Sequence, residues 1–287
     1  MNRIGLPEAE PPSPFLTVRE AIASAAAQLA AVSDTPRLDA ELLMAEALGM
    51  EREALLLSAQ AGPAPQSFAA LAARRAAAEP VAYILGRRAF WTIEVEVAPG
   101  VLIPRPDSET LIEAAVEHFG VAGPRTILDL GTGSGALLLA ALDQWPESRG
   151  LGVDRSEVAL AAARANADRL GQGERAAFRR GDWAEGIDGG YDLVLCNPPY
   201  VEQGAPLPRD VALWEPHEAL FAGADGLAAF RLIAPALPGL LAPRGIACVE
   251  IGAGQADAAS ALFAAEGLAV NRRNDLGGHV RCLILNS

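Results

Sequence analysis

Cysteine is scarce in this chain of 287 residues: there are three, Cys196, Cys248 and Cys282. They are far apart, odd in number and set in apolar runs. That excludes a disulfide framework and a zinc site, and points to buried thiols in a reducing compartment. Histidine is equally scarce, and His118, His217 and His279 show no metal-ligand spacing, so no metal is expected. Positive charge is short as well. Lys and Arg number 23 against 36 Asp and Glu, a net charge of −13. This argues against salt-driven binding to a nucleic acid backbone and suits a basic protein partner. No run of ~18 uninterrupted apolar residues exists, so no membrane span is expected. Met1 to Pro14 is proline-rich and acidic, without an apolar signal core. It reads as a loose tail and not as a secretory signal. A cytoplasmic monomer is expected.

Hydrophobic residues make up 51% and charged residues 21%, a globular profile for one large or two ordinary domains. Thr17-Val18-Arg19-Glu20 is a capping-box pattern, and an alanine-rich helix to about Val32 is expected after it. Asp34-Thr35-Pro36 opens a second helix, with Leu38, Leu42, Leu43, Ala45 and Ala47 on its apolar face. Two more helices follow, to about Ser58 and from Pro65 to Glu79. Residues 15–80 thus read as a small helical domain with no catalytic set, suited to docking a partner. Residues 81–107 read as a hairpin linker. In it, Phe90 to Val97 alternates as one half-buried strand with Trp91, Ile93, Val95 and Val97 on the inner face. Arg105 lies between Pro104 and Pro106, so its backbone is held extended. It is the candidate for a positioned cation that meets substrate.

Residues 108–287 alternate strand and helix, which signals a parallel, doubly wound α/β sheet. Five strands are expected at Thr126–Leu130, Gly150–Asp154, Ala176–Arg180, Tyr191–Cys196 and Gly245–Ile251. A closing antiparallel pair, Leu268–Arg272 and Val280–Leu285, brings the sheet to seven. The long segment from Val201 to Gly223 reads as a lid or binding loop.

The first strand runs into Gly131-Thr132-Gly133-Ser134-Gly135, a turn whose glycines let backbone N–H groups approach a ligand. Asp154 ends the next strand, about twenty residues on, where an acid accepts from ribose hydroxyls. Spacing alone leaves NAD and other nucleoside cofactors open. Asp129 before the turn would repel a pyrophosphate but hold an ammonium. Asp182 and Trp183 end the third strand, where an acid and an aromatic face grip an adenine. A nucleoside carrying an amino acid satisfies both, and S-adenosylmethionine is such a molecule. The fourth strand stops at Asn197-Pro198-Pro199-Tyr200, a stiff corner at a carboxyl strand end, where open α/β sheets bind ligands. An Asn197 carbonyl, a Pro198 carbonyl and a Tyr200 face suit a planar group bearing an NH2.

Leu128-Asp129-Leu130-Gly131-Thr132-Gly133-Ser134-Gly135 together with Asn197-Pro198-Pro199-Tyr200 resembles the S-adenosylmethionine-dependent amino-methyltransferases. Pro80 to Gly86, Leu102 to Glu109 and Glu215 to Leu220 narrow the resemblance. They are similar to the HemK-type protein-(glutamine-N5) methyltransferases that modify bacterial peptide chain release factors. The resemblance spans about Thr17 to Leu285, and only Asn274 to Val280 matches loosely. It implies a seven-stranded methyltransferase sheet, with S-adenosylmethionine over Gly131 to Gly135, its ribose at Asp154 and its adenine near Trp183. It implies that the substrate is the glutamine of a release factor Gly-Gly-Gln motif, its amide held in the corner from Asn197 to Tyr200. Three rivals share parts of the pattern: a glutamine methyltransferase of a ribosomal protein, a nucleic acid base amino-methyltransferase, and a noncatalytic ribosome-docking protein. The acidic charge counts against the second, and the complete corner counts against the third.

Overall fold

The computed structural model describes residues 16–58 and 61–287, so the tail expected over Met1 to Pro14 lies outside the described residues. The chain divides into two compact units, one up to Leu85 and one from Gly86 to Ser287.

Among the described residues, the first unit holds five helices: α1 (Val18–Leu29), α2 (Pro36–Leu48), α3 (Arg52–Ser58), α4 (Ser67–Ala76) and α5 (Val81–Leu85). The capping box is formed: the Glu20 N–H donates to Thr17 Oγ1 and the Thr17 N–H donates to Glu20 Oε2. Pro36 starts α2, and Gly49 stops it in the left-handed region at φ 66°. The inner face of α2 differs from expectation. Leu38 is exposed while Asp39 and Glu41 are buried beside Ala40, Leu43 and Met44. The cause is pairing. Arg75 of α4 donates to Asp39 at 2.7 Å, and Arg52 of α3 reaches Glu41 at 2.7 Å, so two carboxylates turn inward with partners. The linker also begins differently. Residues 81–85 are helical, and the hairpin occupies 87–96.

The second unit opens with that hairpin, β1 (Arg87–Phe90) and β2 (Ile93–Glu96). The single strand expected from Phe90 to Val97 is broken by a two-residue turn at Trp91-Thr92. Phe90 pairs directly with Ile93, and Trp91 sits at φ 54°. Two-residue hairpin turns require such a positive φ. The Trp91 N–H is taken by Glu109 and its indole N–H by Gln144, which offsets the strain of a bulky residue there.

Then follow α6 (Glu109–Phe119), β3 (Thr126–Leu130), α7 (Ala136–Gln144), β4 (Arg149–Asp154), α8 (Glu157–Arg169), β5 (Ala176–Arg180), β6 (Tyr191–Cys196) and α9 (Arg209–Trp214). The chain ends with α10 (Ala228–Ile233), α11 (Leu237–Leu240), β7 (Leu241–Glu250), α12 (Ala256–Ala265), β8 (Ala269–Asn274) and β9 (Val280–Asn286). The sheet order is β5-β4-β3-β6-β7-β9-β8, parallel except that β9 runs antiparallel to both neighbours. The seven-stranded sheet is the one expected. Its strands are apolar where they are covered: Leu128, Leu130, Val194, Cys196 and Val249 lie in one core with Phe230 and Phe263.

Strand order reverses direction between β3 and β6, so a crevice opens at their carboxyl ends. Register makes the two ends level. Leu130 pairs with Cys196, so the glycine turn after β3 and the Asn-Pro-Pro-Tyr corner after β6 are neighbours.

Candidate functional site

The turn after β3 needs glycine at three places. Gly131, Gly133 and Gly135 take φ of 75°, 57° and 83°, a region costly for side chains. At Gly135 a Cβ would also lie 3.1 Å from Leu139 and 3.3 Å from Ala163, so the turn is packed against α7 and α8. Asp154 at the end of β4 anchors this turn. Its carboxylate accepts from the Gly133 N–H at 2.9 Å and from the Ser156 N–H at 2.9 Å. Buried Asn166 adds a second anchor, donating to the Ser134 and Glu96 carbonyls.

A cavity of about 300 Å³ opens over the turn. Gly131, Gly133, Asp154, Asp182, Trp183, Asn197 and Pro199 line it. It thus gathers most of the sequence-predicted cofactor set and one side of the acceptor corner. Gly131 lies between two of them: a Cβ there would meet the Trp183 ring at 3.5 Å and the Asn197 carbonyl oxygen at 3.9 Å. The expected binding loop contributes Pro216, Glu218, Ala219, Phe221, Ala222 and Gly223 to the same wall.

Asp129, Thr132, Ser134 and Gly135 are not on that wall. Asp129 is fully buried beneath the turn, where Oδ2 accepts from the Thr132 hydroxyl at 2.6 Å and Oδ1 has no partner. Burial pushes its pKa up to about 7; the Thr132 bond opposes the rise and the charge of Asp154 adds to it. The pKa of the folded state lies above that of the unfolded chain. Between about pH 4 and pH 7 the unfolded chain therefore ionises first, and stability falls as pH rises through that window. Asp129→Asn keeps the acceptor for Thr132 and removes the charge. It should stabilise the ligand-free protein by about 1–3 kcal/mol near pH 8 and by nothing near pH 4. Thermal melts at both pH values check this; equal melting temperatures of the two proteins near pH 8 would refute it.

The acceptor corner is held by partners that sequence reasoning missed. Ser108, at the start of α6, forms no cap bond. Its Oγ accepts from Asn197 Nδ2 at 2.9 Å. The Tyr200 hydroxyl donates to Glu250 Oε1 at 3.2 Å. Gln255 Nε2 donates to the Tyr200 carbonyl at 3.0 Å. Gly226 approaches that same carbonyl so closely that a Cβ would lie 2.4 Å from it. Burial and the charge of Glu250 push the Tyr200 phenol well above its ordinary pKa, so it stays a neutral donor. An acid ending the apolar run Ile246 to Val249 was the available signal for Glu250.

Arg105 is also off the cavity wall. Its Nη2 lies 2.5 Å from Glu215 Oε1, and Glu215 Oε2 accepts from the Ile103 N–H at 3.2 Å. The arginine thus ties the extended segment before α6 to the loop that lines the cavity.

The residues present suit a nucleoside that carries a cationic amino acid. Asp154 puts a carboxylate, not a phosphate cradle, on the wall, and the carboxyl of Asp129 lies buried beneath the turn. Among the described residues no cluster of His, Cys, Asp and Glu could hold a metal, and no helix is long and apolar enough to cross a membrane.

Residues 20–86 match the family described as PrmC N-terminal domain, and residues 107–212 match the methyltransferase small domain. A release factor glutamine methyltransferase of Rhodospirillum rubrum is 43% identical over 257 residues, covering 88% of this chain and 79% of that protein. The protein of the same name from Caulobacter vibrioides is 40% identical over 258 residues, covering 88% and 89%. In fold alone, a methyltransferase structure from Pyrococcus furiosus aligns with a TM-score of 0.52 at 18% identity, over 69% of this chain and 90% of that one. With such identity sustained along most of both sequences, the chain belongs to the release factor glutamine methyltransferases.

Proposed function

We infer that this protein transfers a methyl group from S-adenosylmethionine to the side-chain amide nitrogen of glutamine in the Gly-Gly-Gln motif of peptide chain release factors. The observation that carries the reading is the orientation of Asn197. One N–H of its Nδ2 is given to Ser108, which fixes the amide plane, and its Oδ1 has no donor among the described residues. A corner with a fixed, free carbonyl oxygen accepts an N–H.

An amide nitrogen is a poor nucleophile because its lone pair is delocalised. Asn197 Oδ1 and the Pro198 carbonyl accept hydrogen bonds from its two N–H groups, returning density to nitrogen and aiming the lone pair at the cavity; once nitrogen has gained the methyl group, its surplus proton is lost to water. Tyr200 packs on the amide plane, and Pro199 keeps the corner stiff. The N–H groups of Arg105 not used by Glu215 meet the main chain of the substrate loop. S-adenosylmethionine, when bound, supplies an electrophilic methyl group. Gly131 to Gly135 approach it by backbone, Asp154 takes the ribose, Asp182 and Trp183 take the adenine, and the charge of Asp129 favours its ammonium. Alignment of two bound reactants contributes roughly 7–11 kcal/mol.

The test is label transfer from S-adenosylmethionine to purified release factor, beside a version with the motif glutamine changed to alanine and an isolated peptide bearing the motif. Label on the unaltered factor alone, faster than on the peptide, is expected; the rate difference would reflect docking by the helical first unit. Label on both factors would move the acceptor elsewhere, and label on neither would discard the substrate.

A further inference from the structure

Gln255 stands immediately before α12, in the capping position, yet its side chain makes no cap bond. It is spent elsewhere. Its Nε2 donates to the Tyr200 carbonyl at 3.0 Å and to the Gly226 carbonyl at 3.3 Å, and its Oε1 accepts from the Gly252 N–H at 3.0 Å. A primary amide donates twice and accepts once from a single planar group. A glutamate of the same length would turn a carboxylate oxygen onto two carbonyl oxygens.

The backbone around this amide leaves room for it. Gly226 sits at φ 68°, and a Cβ there would lie 2.4 Å from the Tyr200 oxygen and 2.5 Å from Gln255 Nε2. A Cβ at Gly252 would lie 2.8 Å from Gln255 Oε1 and 3.0 Å from the Tyr200 ring. A side chain at either glycine would displace Gln255 or Tyr200. The joint also reaches further than Tyr200. The Val201 N–H donates to the Leu220 carbonyl at 2.9 Å, and the Val201 carbonyl accepts from the Ala222 N–H at 2.8 Å. Phe221 and Ala222 line the cavity, as do Ala228 and Ala229 just beyond Gly226, whereas Gln255 does not.

We propose that Gln255 is a positioning residue for methyl transfer: it pins Tyr200 to the segment that walls the cavity and touches neither reactant. This rests on the reading of the corner as a glutamine amide site. Tyr200 is gripped at its carbonyl by Gln255 and at its hydroxyl by Glu250. The first contact fixes the backbone from which the ring springs, and the second fixes the far end of the ring. The face on which the substrate amide lies is therefore set relative to the cavity. Without Gln255 two carbonyls lose a donor and the corner is free to turn, while the groups that bind each reactant stay in place. Misplacement by about 1 Å lowers a rate by about a hundredfold.

The experiment measures kcat, KM for release factor and affinity for S-adenosylmethionine. The proteins are the wild type, Gln255→Met, Gln255→Glu, Tyr200→Ala and the double variant carrying Gln255→Met with Tyr200→Ala. Each Gln255 variant matches glutamine in length, so either carries the comparison if the other fails to fold. Each should lower kcat by about a hundredfold, with KM and cofactor affinity within about threefold of the wild type. In the Tyr200→Ala background the ring that Gln255 aims is gone, so adding Gln255→Met should lower kcat by less than about threefold more. Losses that multiply in the double variant would mean that Gln255 acts apart from Tyr200, which overturns the assignment. Wild-type kcat in both Gln255 variants overturns it too. A fall in cofactor affinity as large as the fall in kcat, or failure of both variants to fold, marks a general structural role and does the same. No transfer to release factor by the wild type fells the substrate reading and the positioning role with it.

Discussion

Asn197→Ala should lower kcat by about three orders of magnitude, while affinity for S-adenosylmethionine changes by less than about tenfold. The asymmetry follows from what the side chain touches. Its Nδ2 is bound to Ser108 and its Oδ1 is free for substrate, whereas the cavity meets Asn197 as one wall among many. Deletion removes the acceptor that localises the nucleophile's lone pair, an interaction strongest as the nitrogen begins to bond. It also leaves the Ser108 hydroxyl without its donor, which loosens the corner further. Labelled transfer and titration calorimetry on the same preparation check the split. A loss of cofactor affinity as large as the loss of rate would mean that Asn197 serves mainly to bind the nucleoside.

The parts of the site that were legible in the sequence are those whose cause is local. A left-handed turn needs glycine whatever the rest of the chain does, so Gly131, Gly133 and Gly135 announce themselves. Asp154 is readable because one strand and one helix separate it from the turn it anchors. Asn197 to Tyr200 is readable because two successive prolines end a strand in only a few ways. The supports were not legible, because each partner comes from far along the chain. Ser108 meets Asn197 across 89 positions, and Arg105 meets Glu215 across 110. Nothing near Ser108 distinguishes a hydroxyl that caps a helix from one that holds an asparagine. The same applies to α2, where apolar periodicity pointed inward until two distant arginines drew Asp39 and Glu41 into the core. At Trp91, alternation concealed a turn. A residue in the left-handed region breaks a strand without breaking its pattern.

Glu215→Ala should destabilise the protein by about 3 kcal/mol, the cost of breaking a buried pair, and lower its melting temperature by roughly 6–12 °C for a unit of this size. Glu215 is 1% exposed and carries both anchors of the cavity-lining loop: the Arg105 guanidinium and the Ile103 N–H. Arg105 is 32% exposed, so when Glu215 is removed the stranded cation finds some water, and the larger penalty falls on the buried Ile103 N–H. Arg105→Ala strands the opposite partner. A carboxylate with almost no access to solvent then keeps one N–H and loses its counter-charge, so this variant should be at least as unstable as Glu215→Ala. The double variant leaves neither charge uncompensated and should be more stable than the sum of the single losses by more than about 1 kcal/mol. Additive losses would show that the two side chains act separately. A coupled result would mean that the arginine between the two prolines, whatever else it does for substrate, fixes the loop that closes the cavity wall.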